Sequence, residues 1–165
     1  MPLLSISHSG DDVVIEWTIA AARTTVWAGL TNTDAIAAWL GTPILAEIRS
    51  GGSLAVDHGE GYICQSIVQV VEVDSRFALS WHFPDEHETN VSFGLVDTDL
   101  GELGSGCRLA LRHSNLAALA DSYRIGWLVH LTYLEAHVLG DPIPSSQFWN
   151  LHATMRALSD QGHSG

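Results

Sequence analysis

Residues 122–140 read SYRIGWLVHLTYLEAHVLG. Within them Tyr123, Trp127, Leu131, Leu134 and Val138 step by four, four, three and four positions, the spacing that lines side chains along one stripe of an α-helix. The helix lies between Ser114 and Leu139, and Gly140 with Pro142 stops it. Gly126 sits inside it at a cost of about 1 kcal/mol relative to alanine, which suggests that another element approaches the helix backbone closely there. A helix with one apolar stripe needs a surface to cover that stripe.

The preceding residues supply a sheet. From Asp12 to Ile19, Val13, Ile15, Trp17 and Ile19 alternate with Glu16 and Thr18, the period of a half-buried strand. Ala20 to Leu30 turns helical, with Val26, Trp27 and Leu30 on one side. Thr33 can cap a second short helix carrying Ile36, Trp39 and Leu40, ended by Gly41 and Pro43. Strand-like segments follow at residues 44–49, 53–58, 62–73, 76–83, 89–96 and 107–113, with Gly51-Gly52 and Gly59-Glu60-Gly61 as turns. Arg76 to Phe83 alternates cleanly, Phe77, Leu79, Trp81 and Phe83 against Ala78, Ser80 and His82. Hairpin-linked strands make an antiparallel meander, and the class is α+β.

A chain of 165 residues is one domain's length and buries roughly 70% of its unfolded surface, so no staples are needed. Cys64 and Cys107 are read as small buried thiols of a reduced, cytoplasmic protein. The start, MPLLSISHSGDD, predicts no secretory signal, and no apolar run is long enough to span a bilayer. Seven arginines, no lysine and nineteen acidic residues give a net charge of −12, which argues against nucleic acid and anionic membrane surfaces as partners.

This order of elements resembles the SRPBCC superfamily, the START and birch-pollen-allergen fold. Within it the chain is most similar to the family named after the C-terminal domain of the heat-shock-protein-90 ATPase activator. The residues carrying the resemblance are Ile19-x-Ala21, Val26-Trp27, Leu30, Trp39-x-Gly41, Gly51-Gly52, Leu79-Ser80-Trp81, Leu109-x-Leu111-x-His113, and Gly126-Trp127 with Leu131 and Leu134. The resemblance implies a helix-grip fold: a curved antiparallel sheet around a long C-terminal helix, two short helices after the first strand, and a cavity between sheet and helix. Relatives of the fold bind lipids, hormones, polyketides or drugs, and a minority catalyse cyclisation or hydrolysis. The chain departs from the family where Trp39-Leu40 replaces a common tryptophan pair and where Tyr123 stands in place of a histidine. Residues 1–140 are expected to form the helix-grip domain and residues 141–165 a C-terminal extension in the same globule.

With that fold, Trp17, Trp39, Trp81, His113, Trp127 and His130 are the candidate ligand-binding residues, apolar walls with a few polar groups suited to a small hydrophobic or aromatic molecule. An enzyme of the cyclase or hydrolase kind using His113 or His130, and a chaperone or protein-interaction module, are the alternatives. No catalytic residue is assigned, because no carboxylate is evident to orient either histidine. His82, Asp85, Glu86, His87 and Glu88 offer metal donors without a metal-site spacing, and a solvated acidic hairpin is the expected outcome. No phosphate loop, GxGxxG or G-x-S-x-G appears, so no metal or cofactor is expected. Residues 145–158 read as an amphipathic helix whose Phe148, Leu151, Met155 and Leu158 are expected to be buried, with Trp149 beside them. Packing on its own domain is the default for that stripe, and a homodimer contact is the alternative.

Overall fold

A computed structural model describes residues 3–162. Strands β1 (Leu3–Ser9) and β2 (Asp12–Ile19) are followed by helices α1 (Arg23–Thr31) and α2 (Thr33–Trp39). Six strands come next: β3 (Thr42–Ala46), β4 (Ser53–Asp57), β5 (Ile63–Glu72), β6 (Arg76–Trp81), β7 (Thr89–Asp99) and β8 (Ser105–Ser114). The long helix α3 (Ala120–Val138) and a last helix, α4 (Phe148–Gly162), complete the chain. All eight strands form one antiparallel sheet ordered β1-β2-β8-β7-β6-β5-β4-β3. Sequence reading begins the sheet at Asp12 and misses β1, which returns along β2 through a turn at Gly10, where φ is +62°.

Register sets the inner face. Phe77 pairs with Phe93, Phe93 with Leu111, and Leu111 with Ile15, one apolar row across four strands. The neighbouring row runs Leu79, Val91, His113, Val13, with a single polar side chain in it. Because strand side chains alternate in direction, these rows all face α3, where Trp127, Leu131 and Leu134 are fully buried. Each such large side chain taken out of water contributes about 2 kcal/mol.

α3 is also covered on its far side by α1, α2 and α4. The close approach expected at Gly126 occurs instead at Gly29 of α1, where an added Cβ would lie 2.8 Å from Val138 Cγ2. At Gly126 an added Cβ would meet nothing within 4 Å, so that glycine marks open space.

α4 runs back along α3. Phe148 sits 5.7 Å from the Tyr133 ring, and Arg124 Nη2 donates to Ser159 Oγ at 2.8 Å. Phe148, Leu151 and Met155 pack half-buried on the core, whereas Leu158 is 63% exposed and drops out of the expected buried stripe. Ser159, the next residue, turns to Arg124 of α3, and Leu158 lies on a different side of that turn, facing water. No helix among the described residues is long and apolar enough to cross a membrane.

Candidate functional site

Three segments meet at one end of the grip. After β4 the chain turns through Gly59, Glu60 and Gly61, all at positive φ. The Asp57 carboxylate holds that turn by accepting from the Gly59 and Gly61 amides at 2.8 and 3.3 Å. The turn presents His58 and Tyr62 to Phe83, which follows β6: Tyr62 stacks on Phe83 at 4.2 Å and 5°, and His58 meets it edge-on at 5.1 Å. The third segment is the middle of α3, where His130 lies 5.7 Å from His58.

Between these segments and the start of α4 lies a cleft in two lobes of about 430 and 250 Å³. His58, Tyr62, Phe83, Gly126, His130 and Trp149 line both lobes, so the two adjoin. Trp39 lines the larger lobe, and Trp81, Tyr123, Trp127 and Glu86 the smaller. A second groove, of about 660 Å³, runs between the α1–α2 junction and the end of α3, but its walls are short polar and aliphatic groups such as Thr33, Asn32 and Ala46. Aromatic walls with few polar groups are the usual makings of a small-molecule site, and the two-lobed cleft has them.

The polar inventory of the cleft is short. His130 Nδ1 donates to the Trp39 carbonyl at 2.9 Å, which leaves Nε2 as an acceptor. Trp39 Nε1 and His58 Nε2 are buried and have no partner, an arrangement that costs about 1–3 kcal/mol for each atom left so. Burial pushes His58 down to about 3, with His130 adding to the effect and Asp57 opposing it. Burial likewise lowers His130 to about 4 against the favourable bond to Trp39. Both rings are therefore neutral at pH 7, and a histidine held that low is a weak base.

Of the six residues singled out from the sequence, the fold brings Trp39, Trp81, Trp127 and His130 to the cleft. Trp17 and His113 line neither lobe. Trp17 Nε1 donates to Glu135 Oε2 at 3.0 Å on α3. His113 is fully buried, and both of its nitrogens are engaged by protein: Trp127 Nε1 donates to Nδ1 at 2.9 Å, and Nε2 lies 2.7 Å from Thr89 Oγ1. Neither His113 nor His130 is bonded to a carboxylate.

Sequence reading missed His58 and Tyr62. The signal for them was the Gly59-Glu60-Gly61 turn, since residues flanking a tight turn emerge together at one end of a sheet. The acidic hairpin also differs from expectation. Asp85, His87 and Glu88 are exposed, but Glu86 is half-buried and accepts from Tyr123 Oη at 2.5 Å, while Tyr123 Oη accepts from Trp81 Nε1 at 3.0 Å. Burial, with that bond to Glu86, pushes the Tyr123 phenol above its ordinary range. No group of three or more His, Cys, Asp or Glu side chains is placed to hold a metal among the described residues.

A sheet curled around α3, closed by two short helices and open at one aromatic end, defines a helix-grip domain of the SRPBCC superfamily. Within it the chain belongs to the family of activator of Hsp90 ATPase homolog 1-like proteins, whose model matches residues 20–138. Solved structures share the fold. CalU16 from Micromonospora echinospora superposes with a TM-score of 0.70 at 22% identity, over 87% of this chain and 83% of that one. DynU16, encoded in the dynemicin biosynthetic locus, gives a TM-score of 0.72 at 22% identity over 81% of this chain, which spans about half of DynU16 (49%). A protein of Bordetella parapertussis gives 0.69 at 22% identity over 93% of this chain and 87% of its own. No curated protein sequence matches the chain.

Proposed function

We propose that this protein binds a small hydrophobic or aromatic molecule in the cleft between the β4–β5 turn, the residues after β6, α3 and the start of α4. The observation that carries this reading is the lining of the cleft, where Trp39, Tyr62, Trp81, Phe83, Trp127 and Trp149 border open space with His58 and His130 among its few polar groups. The volume, about 680 Å³ over the two lobes, suits a ligand of one to three rings. Trp39, Trp81, Trp127 and His130 are the binding residues of this reading, joined by His58 and Tyr62. Trp17 and His113 contribute from behind, by holding α3 and Trp127 in place. We place the protein in the cytoplasm, where its two buried free thiols stay reduced; burial pushes Cys64 up to about 12 and Cys107 to about 11, so both are inert.

The test is titration with uncharged aromatic probes such as 1-naphthol and N-phenyl-1-naphthylamine, read by tryptophan emission. Trp39, Trp81, Trp127 and Trp149 all line the cleft, so one-to-one saturable quenching is the expected result. Gly126→Phe, which projects a ring into the space where a Cβ meets no neighbour, should abolish it. Absence of any saturable signal in the wild-type chain, or an unchanged signal in Gly126→Phe, overturns the reading.

A further inference from the structure

We propose that the smaller lobe is an aromatic cage for an organic cation, with the carboxylate of Glu86 as counter-charge. The inference rests on the cleft being a ligand site and adds the charge class of the ligand.

The walls of this lobe are unusual in what they combine. Trp81, Tyr123, Trp127, Tyr62, Phe83 and Trp149 all contribute rings, and Glu86 is its one charged side chain. Trp81 stands at 81° to Tyr123 and 54° to Trp127, while Tyr62 is stacked on Phe83 at 4.2 Å and 5°, so the lobe is bordered by rings in several orientations. Aromatic faces carry partial negative charge and attract an ammonium group, most strongly where water is kept away.

The electrostatics point the same way. No arginine lines either lobe, and the chain has no lysine. Arg124, on the same helix, is turned to Ser159 on α4. Among the described residues no cation pairs with Glu86, and its one side-chain bond, from Tyr123 to Oε1, is from a neutral donor. The histidines at the boundary between the lobes, His58 and His130, are neutral and add no opposing positive charge. A carboxylate half out of water beside six rings would repel an anionic ligand, and it does nothing for a hydrocarbon. An alkylammonium satisfies both features: its charge meets Glu86 and its methyl or methylene surface meets the rings. The lobe's volume of about 250 Å³ holds a trimethylammonium head with room for its attachment to extend toward Trp39 in the larger lobe.

The experiment compares benzyltrimethylammonium with neopentylbenzene, its uncharged isostere, on the full chain by tryptophan emission. The cation should bind about tenfold more tightly than the isostere. Glu86→Gln keeps an acceptor for Tyr123 and the same shape, so it should remove most of that preference while leaving the isostere within about twofold. Trp149→Ala, at a position already 69% exposed and therefore safe for folding, should weaken the cation more than the isostere. Equal or tighter binding of neopentylbenzene, or an equal change for both ligands in Glu86→Gln, overturns the cage while the cleft stands as a site. Saturable binding of neither ligand, with no response to 1-naphthol, overturns both.

Discussion

The indole N–H of Trp127 on α3 donates to Nδ1 of His113 on β8 across 2.9 Å, and this bond fixes the protonation of a residue at the centre of the grip. With Nδ1 accepting, the proton of the neutral ring sits on Nε2 and is donated to Thr89 Oγ1, 2.7 Å away. Thr89 can then give its own proton to the Trp81 carbonyl at 3.3 Å. Every polar atom in this buried line is satisfied, and it ties helix, central strands and cleft wall together. His113→Ala should therefore lower stability by about 3 kcal/mol, from the cavity it leaves and the orphaned indole N–H of Trp127. Urea unfolding at pH 7 measures it, and a loss under about 0.5 kcal/mol would mean that the network carries no stability.

Acid should weaken the fold before the carboxylates titrate. His58, His113 and His130 are lowered by burial to about 3, about 3 and about 4, whereas the unfolded chain takes up protons on them near 6.5. Between those limits the unfolded state binds more protons, so stability falls as pH falls. From pH 6.5 down to about 4 each histidine contributes up to about 1.4 kcal/mol per pH unit. Urea midpoints at pH 7.5 and pH 5 should differ clearly, with no comparable change between pH 7.5 and pH 8.5. His113→Gln should flatten the acid limb by about one proton.

Two glycine-to-alanine substitutions should act in opposite directions. At Gly126 the new methyl meets open space, so helix propensity dominates and stability should rise by up to about 1 kcal/mol. At Gly29 it would sit 2.8 Å from Val138 Cγ2 and 3.2 Å from Leu134 Cδ1. Crowding of that kind costs about 1–3 kcal/mol and should outweigh the propensity gain. Melting temperatures of the two variants beside the parent decide the matter; a stabilised Gly29→Ala would show that α1 shifts freely against α3.

The last helix should contribute through its N-terminal half. Phe148 packs 4.9 Å from His130 and 5.7 Å from Tyr133, and Tyr133 Oη donates to the Pro144 carbonyl at 2.7 Å. Phe148→Ala should cost about 2 kcal/mol, whereas Leu158→Ser should be neutral within about 0.5 kcal/mol. Truncation after Gly140 should lower the melting temperature by about 5 °C or more and remove Trp149 from the cleft. Thermal melts of the three proteins check this, and equal loss from Phe148→Ala and Leu158→Ser would place the helix differently.

The elements of this fold were legible because their signals are local. Alternation at Val13, Ile15, Trp17 and Ile19 reports a strand with one dry face, and the Tyr123–Val138 stripe reports α3, whatever lies opposite. β1 escapes sequence reading because its alternation, Leu4 and Ile6 against Ser5 and Ser7, carries few large apolar residues, and it pairs only with β2 at the edge of the sheet. The six candidate site residues were legible for the same local reason, as aromatics or histidines of elements with an apolar face, and four of them reach the cleft.

Which of those inward faces meets open space is a different kind of fact. Trp127 and His113 both point into the grip, yet the histidine spends both nitrogens on the protein while an edge of the indole's environment opens to the cleft. Gly126 shows the distinction most simply, since the same mid-helix glycine can admit a neighbouring helix or leave a void, and only the packing around it chooses. The sequence by itself determined the strands from β2 onward, the helices and most of the apolar faces they bury, because periodicity is a property of neighbouring residues along the chain. Tertiary structure alone decided the position of the cleft, the partners of the buried polar atoms and the meeting of Glu86 with the rings around it, because a void forms where side chains brought together from distant segments fail to fill the space between them.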